Sequence, residues 1–119
     1  MDESRFRLRT ETGIVGYMKT IHNTTFFSKD GYGWSGNEID FTFKDRFSGL
    51  FDQNRKPLYA EDIIEISIHP NLYLILHSDA SLNTFQLIDF ETFVIFAPDA
   101  LELIQRAKWV KRISYTFIN

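Results

Sequence analysis

Asp62-Ile63-Ile64-Glu65-Ile66-Ser67-Ile68-His69-Pro70-Asn71-Leu72-Tyr73-Leu74-Ile75-Leu76-His77-Ser78 is the stretch on which the fold turns. Ile64, Ile66 and Ile68 alternate with Glu65 and Ser67, the period of a half-buried strand. Leu72–Leu76 is apolar on both faces and predicts a central strand covered from both sides. His69-Pro70-Asn71 separates these two runs at hairpin distance. Ser78-Asp79-Ala80-Ser81 marks the next turn, after which Phe85 and Leu87 alternate with Thr84 and Gln86. The run from Asp62 to Ile88 therefore predicts a three-stranded antiparallel meander.

Working outward, the same period recurs. Phe6 and Leu8 alternate with Arg5, Arg7 and Arg9, and Ile39, Phe41 and Phe43 alternate with Asp40, Thr42 and Lys44. Phe93–Phe96 is apolar throughout and predicts a second central strand. A helix interrupts the pattern around Pro98–Ala107, with Pro98 expected at its first position and Arg106 and Lys108 at its negative end. Ala100, Leu103, Ile104 and Ala107 form the stripe that packs on a sheet. Val110–Ile118 returns to alternation, with Ile113, Tyr115 and Phe117 expected on one face. The sum is a mainly β (β-rich α+β) single domain over residues 1–119. Its expected form is a small antiparallel barrel or rolled sheet with one short covering helix near 98–107.

Composition supports a core and excludes much chemistry. In 119 residues, 16% are aromatic, and each buried ring removes roughly 150–250 Å² from water. No cysteine is present, which excludes disulfides, thiolate metal sites and thiol nucleophiles. The formal charge of −3 disfavours a general nucleic-acid binder. Met1-Asp2-Glu3-Ser4-Arg5 lacks the apolar region of a secretory signal, and no apolar run approaches the ~20 residues that span a bilayer. A cytoplasmic location without membrane contact is expected.

Gly31-Tyr32-Gly33-Trp34-Ser35-Gly36 has the spacing of a dinucleotide fingerprint, which requires a helix after it. Asn37–Phe43 instead alternates and predicts a strand, so the segment is a Gly-rich turn. Tyr32 and Trp34 are then either rings on a loop or an interaction surface. His22, His69 and His77 lack metal-ligand spacing, Ser35 lacks a nucleophile elbow, and acidic pairs such as Glu61-Asp62 suit solvated turns. No catalytic residue, cofactor or metal site is assigned.

Charge is unevenly distributed. Pro57–Gln105 holds eight acids and no base, so the remainder has thirteen bases against eight acids. Either folding interleaves the two signs, or the protein has an acidic and a basic face suited to self-association or a charged partner. Arg5, Arg7, Arg9, Lys108, Lys111 and Arg112 are the candidate phosphate-facing residues of the alternative reading, a nucleic-acid-binding small β-barrel. The acidic majority weakens that alternative.

Phe47-Ser48-Gly49-Leu50-Phe51-Asp52-Gln53-Asn54-Arg55-Lys56-Pro57-Leu58-Tyr59-Ala60-Glu61-Asp62-Ile63-Ile64 resembles the signature block of the YopX-like phage and prophage protein family. The match holds at Gly49, Leu50, Asp52, Asn54, Lys56, Tyr59, Asp62 and Ile63. It departs at Ser48, and at Arg55 and Glu61, where the family has Gly. A side chain at position 55 resists positive φ, so Asn54 is expected to take that conformation. Weaker echoes lie in Arg5-Phe6-Arg7 with Thr10-Glu11-Thr12-Gly13, and in Ile113, Phe117 and Asn119. The resemblance implies a small, mostly β phage protein, oligomeric, with no catalytic residues to carry over. The expectation is a non-enzymatic protein that binds a host or phage macromolecule and forms a homo-oligomer. A sharper version is inhibition of a host defence nuclease through the acidic stretch. Tyr32, Trp34, Asp52, Arg55 and Lys56 are the expected contact residues.

Overall fold

A computed structural model describes residues 3–79 and 84–117. It is mainly β, with two five-stranded antiparallel sheets and one short helix, as the periodicity predicts. The chain divides into two compact units, Met1–Phe47 and Ser48–Asn119.

Unit 1 contains β1 (Glu3–Thr10), β2 (Gly13–Ile21), β3 (Thr24–Ser28) and the first half of β4 (Phe43–Phe51). The strand order is β3-β2-β1-β4, and β5 (Pro57–Tyr59) follows β4 in the same sheet. β2 and β3 are joined by His22 and Asn23 alone, with φ of 49° and 67°. Two consecutive positive φ values give the turn whose twist matches a hairpin, and Asn adopts it at little cost. Gly16 is required for a close approach: a Cβ there would lie 2.7 Å from the Ser28 carbonyl oxygen and from Ile39 Cδ1. The strand expected over Asn37–Phe43 does not form; residues 37–42 are irregular and β4 begins at Phe43. The β1–β4 ladder ends at the Arg9–Phe43 pair, with the Thr42 N–H donating to the Arg9 carbonyl at 3.0 Å, so the alternation of Ile39 and Phe41 lies outside it.

Unit 2 carries the second half of β4, β5 and a second sheet with its helix: β6 (Asp62–Ile66), β7 (His69–Asp79), β8 (Thr84–Asp89), β9 (Ile95–Ala97), α1 (Ala100–Arg106) and β10 (Val110–Tyr115). The second sheet runs β10-β6-β7-β8-β9, so the expected meander β6-β7-β8 forms its middle. The turn expected at Ser78–Ser81 lies partly outside the described residues, as does the closing Asn119. Pairing of Ile64 with Leu74, Leu76 with Leu87 and Val110 with Ile66 aligns one face of the sheet. On that face Ile64, Ile66, Leu74, Leu76 and Leu87 are fully buried, together with Ala100 and Ile104 of α1. Each buried aliphatic side chain contributes about 1.5–3 kcal/mol, which is what seats so short a helix.

Three expectations are corrected here. Pro98 is not the first helical residue: Asp99 is the cap, its carboxylate accepting the Glu102 N–H at 3.1 Å. Phe93–Phe96 is not a covered central strand but the approach to an edge strand, with Phe93 72% exposed. Ile113, Tyr115 and Phe117 do not share one strand face. The register shift between Arg112 and Ser114 makes Ile113 an extra residue opposite β6, and β10 ends at Tyr115.

The turn between β4 and β5 is held by Asp52. Its Oδ1 accepts the N–H groups of Asn54 (2.8 Å) and Lys56 (2.9 Å), while the Asp52 N–H donates to the Lys56 carbonyl. Arg55 takes φ of 61°, so the positive φ expected of Asn54 falls one residue later. Glu61 also has positive φ, 75°. Asp62 is wholly buried and accepts the Tyr59 N–H at 2.8 Å, the backbone-capping role expected of its carboxylate.

Candidate functional site

The Gly-rich segment is an ordered loop closed at its base. Phe27 and Ser35 exchange backbone hydrogen bonds of 2.7 and 2.9 Å. Inside it, Asp30 accepts from the N–H groups of Tyr32 (2.8 Å) and Gly33 (3.0 Å) and from the Ser28 hydroxyl (3.0 Å). These donors hold the Asp30 carboxyl below its ordinary value, the Tyr32 and Gly33 amides contributing most. The loop separates the two rings that the sequence groups together. Tyr32 is 89% exposed, whereas Trp34 is half-buried with Lys19 Nζ 4.4 Å above its ring centroid. Tyr32 is a presented ring; Trp34 is packing for the loop.

The charged turn divides in the same way. Arg55 and Lys56 are exposed. Asp52 is buried and its Oδ1 is engaged with backbone amides, so it shapes the turn.

The phosphate-facing set of the alternative reading does not assemble as expected. Arg7 is buried, and its Nε and Nη2 donate to Asp45 Oδ2 at 3.1 and 3.0 Å. Arg9 Nε reaches both oxygens of the same carboxylate, at 3.1 and 3.0 Å, and its guanidinium lies 4.7 Å from the Phe43 ring centroid. Arg5 is paired with Glu3 at 3.5 Å. Arg112 donates to the Pro57 carbonyl, stands 3.9 Å from Asp62 and stacks on Tyr115. Lys111 is exposed, with Glu65 as its cross-strand neighbour. Lys108 is exposed and has no ion-pair partner among the described residues.

Three features escaped sequence reasoning. Asp45, between Lys44 and Arg46 in a charged run, reads as a surface residue, yet it is the counter-ion of two strand arginines. Phe93, Val94 and Ile95 are 72, 63 and 52% exposed on and before β9. A pocket of about 310 Å³ is lined by Leu50–Gln53, Ile104, Gln105 and Ala107–Val110. The walls of the last come from two segments far apart in the sequence, which only the fold joins.

No helix among the described residues is long and apolar enough to cross a membrane. The chain matches no family model, no curated protein and no solved structure.

Proposed function

We propose that this chain is a phage-associated, non-enzymatic binding protein of the host cytoplasm that captures a host or phage macromolecule and works as a homo-oligomer. The observation that carries the reading is the apolar edge of unit 2. Phe93, Val94 and Ile95 stand in solvent consecutively, where isolated exposed apolar residues are the norm. Phe93 also holds φ of 59°, a conformation that bulky side chains rarely adopt. Strain that holds a ring in water is a mark of a segment shaped for contact. β9 is three residues long and lies at the edge of its sheet, so a second copy meeting it about a two-fold axis would cover the apolar residues of both.

Phage association rests on the Phe47–Ile64 block. Arg55 and Glu61, the two positions where the resembled block has Gly, both hold the left-handed backbone that Gly adopts freely. Tyr32 is the second contact surface, and the acid-only stretch Pro57–Gln105 gives the sharper reading, inhibition of a host defence nuclease.

Light scattering at low and high salt tests the assembly. The wild type is expected to be a dimer or larger and Val94→Glu a monomer. A monodisperse wild-type monomer at both salts removes the oligomer from the proposal. For the partner, a protein retained from infected cells by wild type and released by Tyr32→Ala is the expected result.

A further inference from the structure

Two segments that are distant in sequence, each carrying basic residues, are tied together in unit 2. Arg55 and Lys56 ride on the turn after β4, and Arg106 and Lys108 close α1. The Gln53 N–H donates to the Val110 carbonyl at 2.8 Å, which ties that turn to the chain two residues beyond Lys108. The 310 Å³ pocket lies where they join, with Phe51, Gln53, Gln105, Lys108 and Trp109 in its wall, while Arg55 and Lys56 stand outside the wall on the turn that continues from Gln53.

Charge and ring are presented together and held in place. The Ser67 hydroxyl accepts the N–H groups of Lys108 (2.7 Å) and Trp109 (3.3 Å), and the Ser67 N–H donates to the Trp109 carbonyl. Trp109 is half-buried in the wall and Phe51 is 53% exposed. Arg55, Lys56 and Lys108 are exposed and have no ion-pair partner among the described residues, whereas Arg106 is held by Glu102 at 3.5 Å. The one acid in the wall, Asp52, is buried, and its Oδ1 is taken by two amides. Unit 2 as a whole has nine acids against six bases, so this cationic corner stands out from its surroundings.

We propose that this pocket binds single-stranded nucleic acid, one base stacking on Trp109 and the flanking phosphates pairing with Lys108, Arg55 and Lys56. Every base offers a π-face, and a strand supplies regularly spaced phosphates beside it, which is the complement of an indole that shares its pocket wall with an exposed lysine. A duplex keeps its bases inside, and a carboxylate polymer has charge without rings. The site is separate from β9 and shares no residue with the self-association proposed above. Three phosphate contacts imply a slope of log K against log salt of about −2, with affinity in the weak range of roughly 10⁻⁴–10⁻⁵ M.

The test uses the full chain carrying Trp34→Phe, which leaves Trp109 as the sole tryptophan. Titration with a twenty-residue oligothymidylate at about 50 mM salt is expected to quench Trp109 fluorescence. Adding Lys108→Glu is expected to weaken binding about tenfold or more and to flatten the salt slope by at least ~0.7, with far-UV circular dichroism unchanged. Absence of quenching overturns the proposal. So does equal binding of duplex DNA or polyglutamate, and so does thymidine monophosphate binding as tightly as the strand, which would make the pocket a site for free nucleotides. Undiminished binding by the Lys108→Glu protein also overturns it.

Discussion

The two units bury different chemistry. Unit 2 encloses an aliphatic face, with Ile64, Ile66, Leu74, Leu76 and Leu87 fully buried against α1. Unit 1 buries Leu8 beside a charged group, Arg7, whose counter-ion Asp45 is 4% exposed and is shared with Arg9. The aliphatic face gains free energy from every side chain removed from water and tolerates small mismatches. An ionic cluster only recovers the cost of desolvation while its geometry is intact, so its failure is abrupt. Unit 2 is thus secured chiefly by many small aliphatic contributions, its buried Asp52 and Asp62 accepting backbone N–H groups, and unit 1 by a few large, compensating ones.

The sharpest way to break that contrast is to remove one member of the cluster. Asp45→Ala is expected to destabilise by about 3–5 kcal/mol in urea denaturation, because two arginines lose their carboxylate and one of them stays buried. Replacing the pair together, Arg7→Met with Asp45→Leu, is expected to cost less than Asp45→Ala alone. A double variant that is worse than either single one would show the cluster to be a net source of stability. In unit 2, Leu76→Ala is expected to cost about 2–4 kcal/mol, scaling with the cavity left behind, with no such rescue by a second substitution.

Smaller effects sharpen the comparison at the surface. Arg55→Gly is expected to raise stability by about 0.5–1 kcal/mol, since relief of the φ of 61° exceeds the added chain entropy, while nucleic-acid binding falls. A variant that loses both stability and binding would mean that the Arg55 side chain supports the turn itself. The smallest expected effect is local. The folded Asp30 has a depressed carboxyl pKa, so its contribution is present above the unfolded value of 3.8 and is lost as pH falls through the folded pKa. Amide exchange at Tyr32 and Gly33 should therefore accelerate only below about pH 4. Asp30→Asn should remove that pH dependence.

Legibility depended on what each side chain packs against. The β6-β7-β8 meander and the helix over Ala100–Arg106 were readable because side-chain period maps directly to burial when one face packs on an apolar core. The misreadings came where that mapping fails. Arg5, Arg7 and Arg9 have the period of a solvent-facing row, yet Arg7 is inside, because a carboxylate 38 residues away neutralises it. Phe93–Phe96 has the composition of a central strand but stands at an edge, where hydrophobicity alone says nothing about which strands lie alongside. Of the expected contact residues, Tyr32, Arg55 and Lys56 are presented to solvent. Asp52 and Trp34 are held by neighbours that a linear reading does not place.

The sequence by itself determined that this protein is a sheet-forming chain with one short helix, that it holds no thiol chemistry, and that its acids and bases occupy different stretches. Those properties follow from residue type and period, which act locally. Tertiary structure decided which charges remain available. It joined the turn at Asp52–Lys56 to the start of β10 and set Asp45 against Arg7 and Arg9, leaving Arg55, Lys56 and Lys108 in solvent. The physical reason is that electrostatic pairing depends on distances of a few ångströms between groups far apart in the chain, and only folding sets those distances.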